Sequence, residues 1–415
     1  MGLKLKRYLK ILGPGLITGA SDDDPSGIAT YSQAGAQFGL STLWLAWLTF
    51  PLMATIQGMC ARVGIITSKG LTSILKTHYP KWLLYSMLVF SAPAIVLNIG
   101  ADIAGMGAVS NLLLPAVPAW MFSVIFTGIL IWAIIKYPYQ KIAAVLKWLC
   151  LSIFTYLLVP FVMKIDWKPV LMATIHPTMH FDKDFLMMVV ALLGTTISPY
   201  LFFWQTTMEA EDRSHKSTEV MIDKQVLDDM TADVNIGMLA SNVVMFFIIL
   251  TTGVVLYSAG IRRIDTVEQA AKALEPLAGK FSYLCFATGI IGTGFLAIPV
   301  LAGSLSYITA ETFGWEEGLD KKFGEAKGFY ITITLSLIVG LLINFMGISP
   351  ITALFYTAIL YGVTAPVMIA VLLHICNNEK IMGKHTNNLF SNILATLTLV
   401  IMTVAAVLLV WYQFK

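Results

Sequence analysis

GASDDDPSGIAT (residues 19–30) places three consecutive aspartates, a proline and a glycine inside a stretch that is otherwise apolar. Residues 11–20 before Ser21 and residues 28–40 after Gly27 carry no charge. A carboxylate at the centre of a membrane helix costs roughly 2.5–3.5 kcal/mol on insertion scales. A simple proline kink explains the proline and leaves three such costs unanswered. A cation bound in a wet cavity would offset them directly.

The composition makes the membrane setting plain. Of 415 residues, 57% are hydrophobic and 12% charged, with a mean hydropathy of +0.77. Soluble domains carry about 25% charged residues, so repeated apolar runs at half that value describe an all-α polytopic membrane protein. The net charge of +3 is small and spread along the chain, which argues against a nucleic-acid partner. Cys60, Cys150, Cys285 and Cys376 stand singly, without a C-x-x-C pair, and read as small packing residues.

About eleven spans are expected, near 11–37, 41–63, 83–112, 118–135, 142–163, 185–208, 233–258, 281–308, 327–347, 350–375 and 389–412. Lysine and arginine collect on one side of this arrangement, from Lys4, Lys6, Arg7 and Lys10 through Arg62, Lys136, Arg213, Lys216 and Lys321 to Lys384. That bias puts the N-terminus in the cytoplasm and the C-terminus outside a cell membrane. The opening MGLKLKRYLK has no small-residue cleavage site after it and reads as an uncleaved cytoplasmic start. The charged segment 209–233 reads as a solvated cytoplasmic helix or loop without chemistry.

A second interruption, GTTISPY (194–200), falls midway through the sixth run. The two interruptions are five spans apart in order, and five is odd, so a second five-helix repeat would insert upside down. The expected organisation is one transporter domain over 1–415, with repeats at 1–164 and 165–376 and an extra helix at 377–415. Paired broken helices in matching positions of inverted repeats point to a transporter's central site. Irregular backbone at membrane depth is tolerated only where it lines protein or water.

The run GPGLITGASDDDPSGIATYSQAGAQFG (13–39) resembles the first span of the Nramp divalent-metal transporters, D-P-G-N-x-A-T-x-x-Q-A-G-A-x-F-G. QGMCARVGIITSKGL (57–71) is similar to that family's Q-x-x-x-A-R-x-G-x-x-T-G-x-x-L, and GADIAG (100–105) stands where the family has T-D-L-A-E. Weaker similarity continues in SPITALFYTAILYGVTAP (349–366). The resemblance covers most of the chain. It implies a LeuT-type fold with metal held between broken helices 1 and 6, and it assigns Asp24 to the family's metal-binding aspartate.

Departures from the family pattern all point one way. Ser26 stands at its glycine, Gly27 at its asparagine, Ser198 at its methionine and Tyr200 at its histidine. Gln205 replaces a second histidine, Ala358 a glutamine and Gly105 an acid, while Asp102 is kept. Loss of a thioether removes the soft ligand that favours transition metals over Mg²⁺ and Ca²⁺. An all-oxygen site with fewer bulky ligands suits a hard, partly hydrated ion, since Mg²⁺ usually keeps several waters. The pattern resembles the Nramp-related magnesium branch, with Mn²⁺ also acceptable.

The expected metal ligands are therefore Asp24, Asp23, Gly27, Thr195 and Ser198, with Asp22, Gln205 and Tyr200 just behind them. Consecutive helical residues point about 100° apart, so all three acids cannot face one ion. Asp102 lies at the family's proton route. All six histidines fall in loops or at span ends, so the usual near-neutral proton carrier is missing from the core. Weak or absent proton coupling follows. The expected function is divalent-cation uptake by alternating access, Mg²⁺ and/or Mn²⁺, with no enzyme activity, no cofactor and no obligatory protein partner. An ordinary proton-coupled Mn²⁺/Fe²⁺ symporter and an organic-solute carrier of the same fold are the alternatives; three acids would repel an organic carboxylate. A membrane aspartyl protease would need a G-x-G-D motif, which is not present.

Overall fold

The computed structural model describes residues 13–138, 141, 155–180, 182–215 and 224–413. Lys4, Lys6, Arg7, Lys10, Cys150, Lys216, Lys415 and most of the fifth expected span lie outside these. The described regular structure is helical. Its first half contains α1 (Pro14–Asp22), α2 (Pro25–Phe38), α3 (Leu43–Thr67), α4 (Leu71–His78), α5 (Lys81–Leu113), α6 (Ala119–Lys136), α7 (Thr155–Val162) and α8 (Trp167–Ile175). The second half contains α9 (Lys183–Thr196), α10 (Pro199–His215), α11 (Lys224–Thr252), α12 (Val267–Ala271) and α13 (Glu275–Ala278). It closes with α14 (Ser282–Phe313), α15 (Lys327–Ile343), α16 (Pro350–Cys376), α17 (Glu379–Met382) and α18 (Leu389–Gln413).

Nine spans among the described residues are long and apolar enough to cross a membrane. The expected first span is cut into α1 and α2, and the sixth into α9 and α10. Proline alone does not make these cuts. Pro51, Pro93, Pro299 and Pro366 all sit inside continuous helices. What differs at Pro25 and Pro199 is the residue before each, Asp24 and Ser198, whose side chains bond to nearby backbone and give the chain an alternative to the helical ladder.

The two halves pack as inverted copies. α2 lies on α11 as α10 lies on α3; α6 lies on α5 as α15 lies on α14. α3 against α11 and α5 against α14 close the relation on itself. The broken pair is central: α9 and α10 are almost wholly enclosed, whereas α6, α15 and α18 expose most of their surface. Trp82, Phe90, Trp132, Leu335 and Val407 are among the large apolar side chains on that outer surface.

Small residues set the helix spacing, as expected where lipid and core are equally apolar. A Cβ on Gly194 of α9 would lie 2.1 Å from the Ala358 carbonyl oxygen and 2.3 Å from the Gly362 nitrogen of α16. One on Gly237 of α11 would lie 2.3 Å from the Gly15 carbonyl oxygen of α1. Cys60 and Cys376 are buried free thiols, in keeping with a packing role. Segment 209–233 departs from the expected solvated stretch: Glu209, Ala210 and Asp233 at its ends are buried against other helices.

Gly194→Ala is expected to lower stability by about 1–3 kcal/mol, the usual cost of overpacking. Gly128→Ala, with nothing within 4 Å of its Cβ, is expected to be neutral or slightly stabilising. Thermal unfolding of the detergent-solubilised protein compares the two.

Candidate functional site

The chain between α1 and α2 is non-helical, and extended at Asp24. Asp23 has φ −82° and ψ 50°, and Asp24 has φ −68° and ψ 172°. Asp24 is the N-cap of α2: its Oδ1 accepts from the Gly27 N–H at 2.7 Å, which satisfies one of the free amides at that helix start. Its Oδ2 accepts from Asn98 Nδ2 on α5 at 2.9 Å. Asp22 and Asp23 turn the other way. Ser241 Oγ of α11 lies 2.9 Å from Asp22 Oδ2 and 3.1 Å from Asp23 Oδ1. All three acids are buried, Asp23 the least at 5% exposure. The run is thus splayed between two helices instead of converging.

The second break faces the first. α9 ends at Thr196, and Ile197 has φ −115° and ψ 56° before α10 begins at Pro199. A Cβ at Gly27 would lie 3.2 Å from the Asp22 carbonyl oxygen and 3.4 Å from Thr195 Oγ1. Those three residues therefore meet at one point. The C-terminal ends of α1 and α9, each carrying unsatisfied carbonyls and a partial negative charge, both arrive here. Two negative helix ends thus meet beside three buried carboxylates.

The expected residues divide as follows. Asp24, Gly27 and Thr195 gather at the crossing of the breaks, with Asp22 and Asp23 adjoining on the α11 side. Ser198 Oγ donates within its own chain, to the Gly194 and Thr195 carbonyls at 3.0 and 2.8 Å, so its hydroxyl caps α9. Tyr200 Oη donates to the Ser21 carbonyl at 3.2 Å and bridges the two broken spans, with its ring 5.6 Å from that of Tyr361. Gln205 lies away from the crossing: its Oε1 accepts from Thr18 of α1, and its Nε2 donates to Glu209 Oε1 at 2.9 Å. It ties α1 to α10.

Asp102 is fully buried on α5, with the Ser26 backbone N–H in hydrogen-bonding reach of its carboxyl. It lies one turn beyond Asn98 on the same helix face. Tyr31 Oη stands beside Thr195 and Tyr361 Oη beside Asn98, both buried. Among the described residues, no three histidine, cysteine or acidic side chains converge closely enough to chelate a bare ion.

Sequence reading missed Asn98 and Ser241. Asn98 carried a usable signal, a buried amide four residues before Asp102 in an apolar span. Ser241 had none, because serine is common in membrane helices and only the fold brings it to the acids.

A sequence model described as "Natural resistance-associated macrophage protein-like", Nramp, matches residues 15–412. The divalent metal cation transporter MntH of Caldanaerobacter subterraneus subsp. tengcongensis is 24% identical over 404 residues, covering 96% of this chain and 91% of its own. MntH of Yersinia enterocolitica is also 24% identical, with 97% and 95% coverage. The manganese transporter of Eremococcus coleocola, solved with an aromatic bis-isothiourea compound, superposes with a TM-score of 0.78 at 16% identity, over 97% of this chain and 86% of that one. MhsT in complex with L-phenylalanine gives 0.61 at 11% identity, with 96% and 98% coverage. With the inverted packing above, these likenesses identify the fold as LeuT-type.

Asn98→Ala leaves Asp24 without its amide partner from α5. Loss of such an outer partner typically weakens a metal site about 10–100-fold, and that is the expected rise in the dissociation constant for Mn²⁺ by titration calorimetry.

Proposed function

The chain belongs to the Nramp family, and from that membership and the geometry of its two breaks we propose that it carries a hard, partly hydrated divalent cation, Mg²⁺ and/or Mn²⁺, into the cell. Divalent metal transport across a membrane is what the family membership supplies. The choice of ion is our reading of the site. It rests on one observation above all: buried oxygen atoms dominate the crossing, with no thioether or imidazole among the described residues gathered there.

Asp24 is the principal ligand in this reading, oriented by Gly27 and Asn98. Asp23, Thr195 and the Gly27 position contribute oxygen or space beside it. Ser198 acts through the carbonyls it caps, in place of a thioether. Mg²⁺ sheds water reluctantly and is usually bound through one or two carboxylates, which suits a centre where the acids are splayed. The inward path is powered by the membrane potential, worth about 4.6 kcal/mol for two charges per 100 mV. The N-terminus is cytoplasmic and the C-terminus external in a cell membrane, and the repeats run 1–164 and 165–376 with 377–415 appended.

A second reading, proton-coupled Mn²⁺/Fe²⁺ symport, is favoured by one feature: Asp102 is a fully buried carboxyl, one turn from the residue that holds Asp24. Uptake into proteoliposomes, with internal metal and internal pH followed together, separates the two. Asp24→Ala is expected to abolish divalent uptake, and wild-type uptake is expected to proceed for Mg²⁺ with little acidification. Acidification in proportion to metal uptake would favour the symporter, and exclusion of Mg²⁺ with tight Cd²⁺ binding would overturn the selectivity. Ser198→Met is expected to raise Cd²⁺ affinity relative to Mg²⁺ by about tenfold or more, as a soft ligand does.

A further inference from the structure

α11 carries three small or acidic residues at successive turns, Asp233, Gly237 and Ser241, and all three meet α1. Asp233 lies at the start of α1, where free amides need partners. Its Oδ1 accepts from the N–H of Gly13 at 2.9 Å and of Leu16 at 3.2 Å, and its Oδ2 accepts from the N–H of Gly15 at 2.7 Å. Asp233 is 3% exposed. One turn along, Gly237 lets the backbones touch: a Cβ at Gly19 would lie 2.3 Å from the Gly237 carbonyl oxygen. A further turn along, Ser241 meets the carboxyls of Asp22 and Asp23. The nine residues of α1 are therefore fastened to one helix at both ends, and the chain beyond them is non-helical at Asp23 and Asp24.

We propose that α1 is a gate and Asp233 its latch, a positioning residue whose carboxylate holds α1 down on α11 and must release the α1 amides before the ion can leave past that helix. No other acceptor side chain reaches these amides among the described residues. Thr18, in the middle of α1, adds a lateral tie to Gln205 of α10. Because Asp233 and Ser241 stand two turns apart on one rigid helix, the latch and the acids at the break are attached to the same body. The hinge that the motion needs is the non-helical pair Asp23–Asp24. The inference goes beyond the identity of the ion and does not depend on it.

Thiol labelling tests it without any transport measurement. In a background lacking the four native cysteines, Thr18→Cys on α1 and, separately, Ser32→Cys on α2 are exposed to a soluble maleimide in detergent. Both positions are fully or almost fully buried. Asp233→Ala, which removes every acceptor, is expected to speed labelling at position 18 by about tenfold or more, and Asp233→Asn, which keeps one oxygen, by less; charged hydrogen bonds of this kind are worth such factors. Labelling at position 32 is expected to stay at its starting rate. Unchanged labelling at position 18 in the Asn variant, or equal acceleration at both positions, would overturn the latch, the second outcome by showing general loosening. Asp24→Ala alone is expected to leave the Asp233 effect intact, so failure of the metal reading is distinguishable from failure of this one.

Discussion

A carboxylate that both caps a helix and faces the interior is the constraint on which the rest depends. Asp24 satisfies the start of α2 through Gly27 and is held from α5 by Asn98. That pair of bonds fixes where the first span stops being helical, and so where two carbonyl-bearing helix ends can meet. Free carbonyls at membrane depth are costly unless something polar answers them. The arrangement therefore requires an opposing break, and α9–α10 supplies it.

Inverted packing provides the opposition without a separate design. Because α2 rests on α11 as α10 rests on α3, each broken span is supported by the helix that follows its counterpart's break. Glycines at the contacts, Gly237 against Gly15 and Gly194 against Gly362, allow backbone-to-backbone approach that fixes the spans rigidly. The site then inherits its geometry from packing, with few side chains needed to shape it.

Much of this was legible in the sequence. DDDPSG and TTISPY announced two interruptions, and their separation by five spans gave the inversion. Among the described residues, nine spans long and apolar enough to cross a membrane and the cut first span are consistent with that outline. The direction in which each acid points was not legible, because it depends on which neighbouring helix offers a donor. Asn98 and Ser241 decide that, and both look like ordinary polar residues in apolar runs. Gln205 was expected behind the site and instead joins α1 to α10, since a glutamine two turns past a break can face either way. Asp233 was hidden inside a charged stretch whose average character is solvated.

The bare position at Gly27 carries a consequence for what the crossing tolerates. A Cβ there would already lie 3.2 Å from the Asp22 carbonyl oxygen and 3.4 Å from both Thr195 Oγ1 and the Tyr31 ring. Any larger residue would wedge the first broken span away from the second, so a meeting of the two interruptions this close is open to bare backbone and to little else.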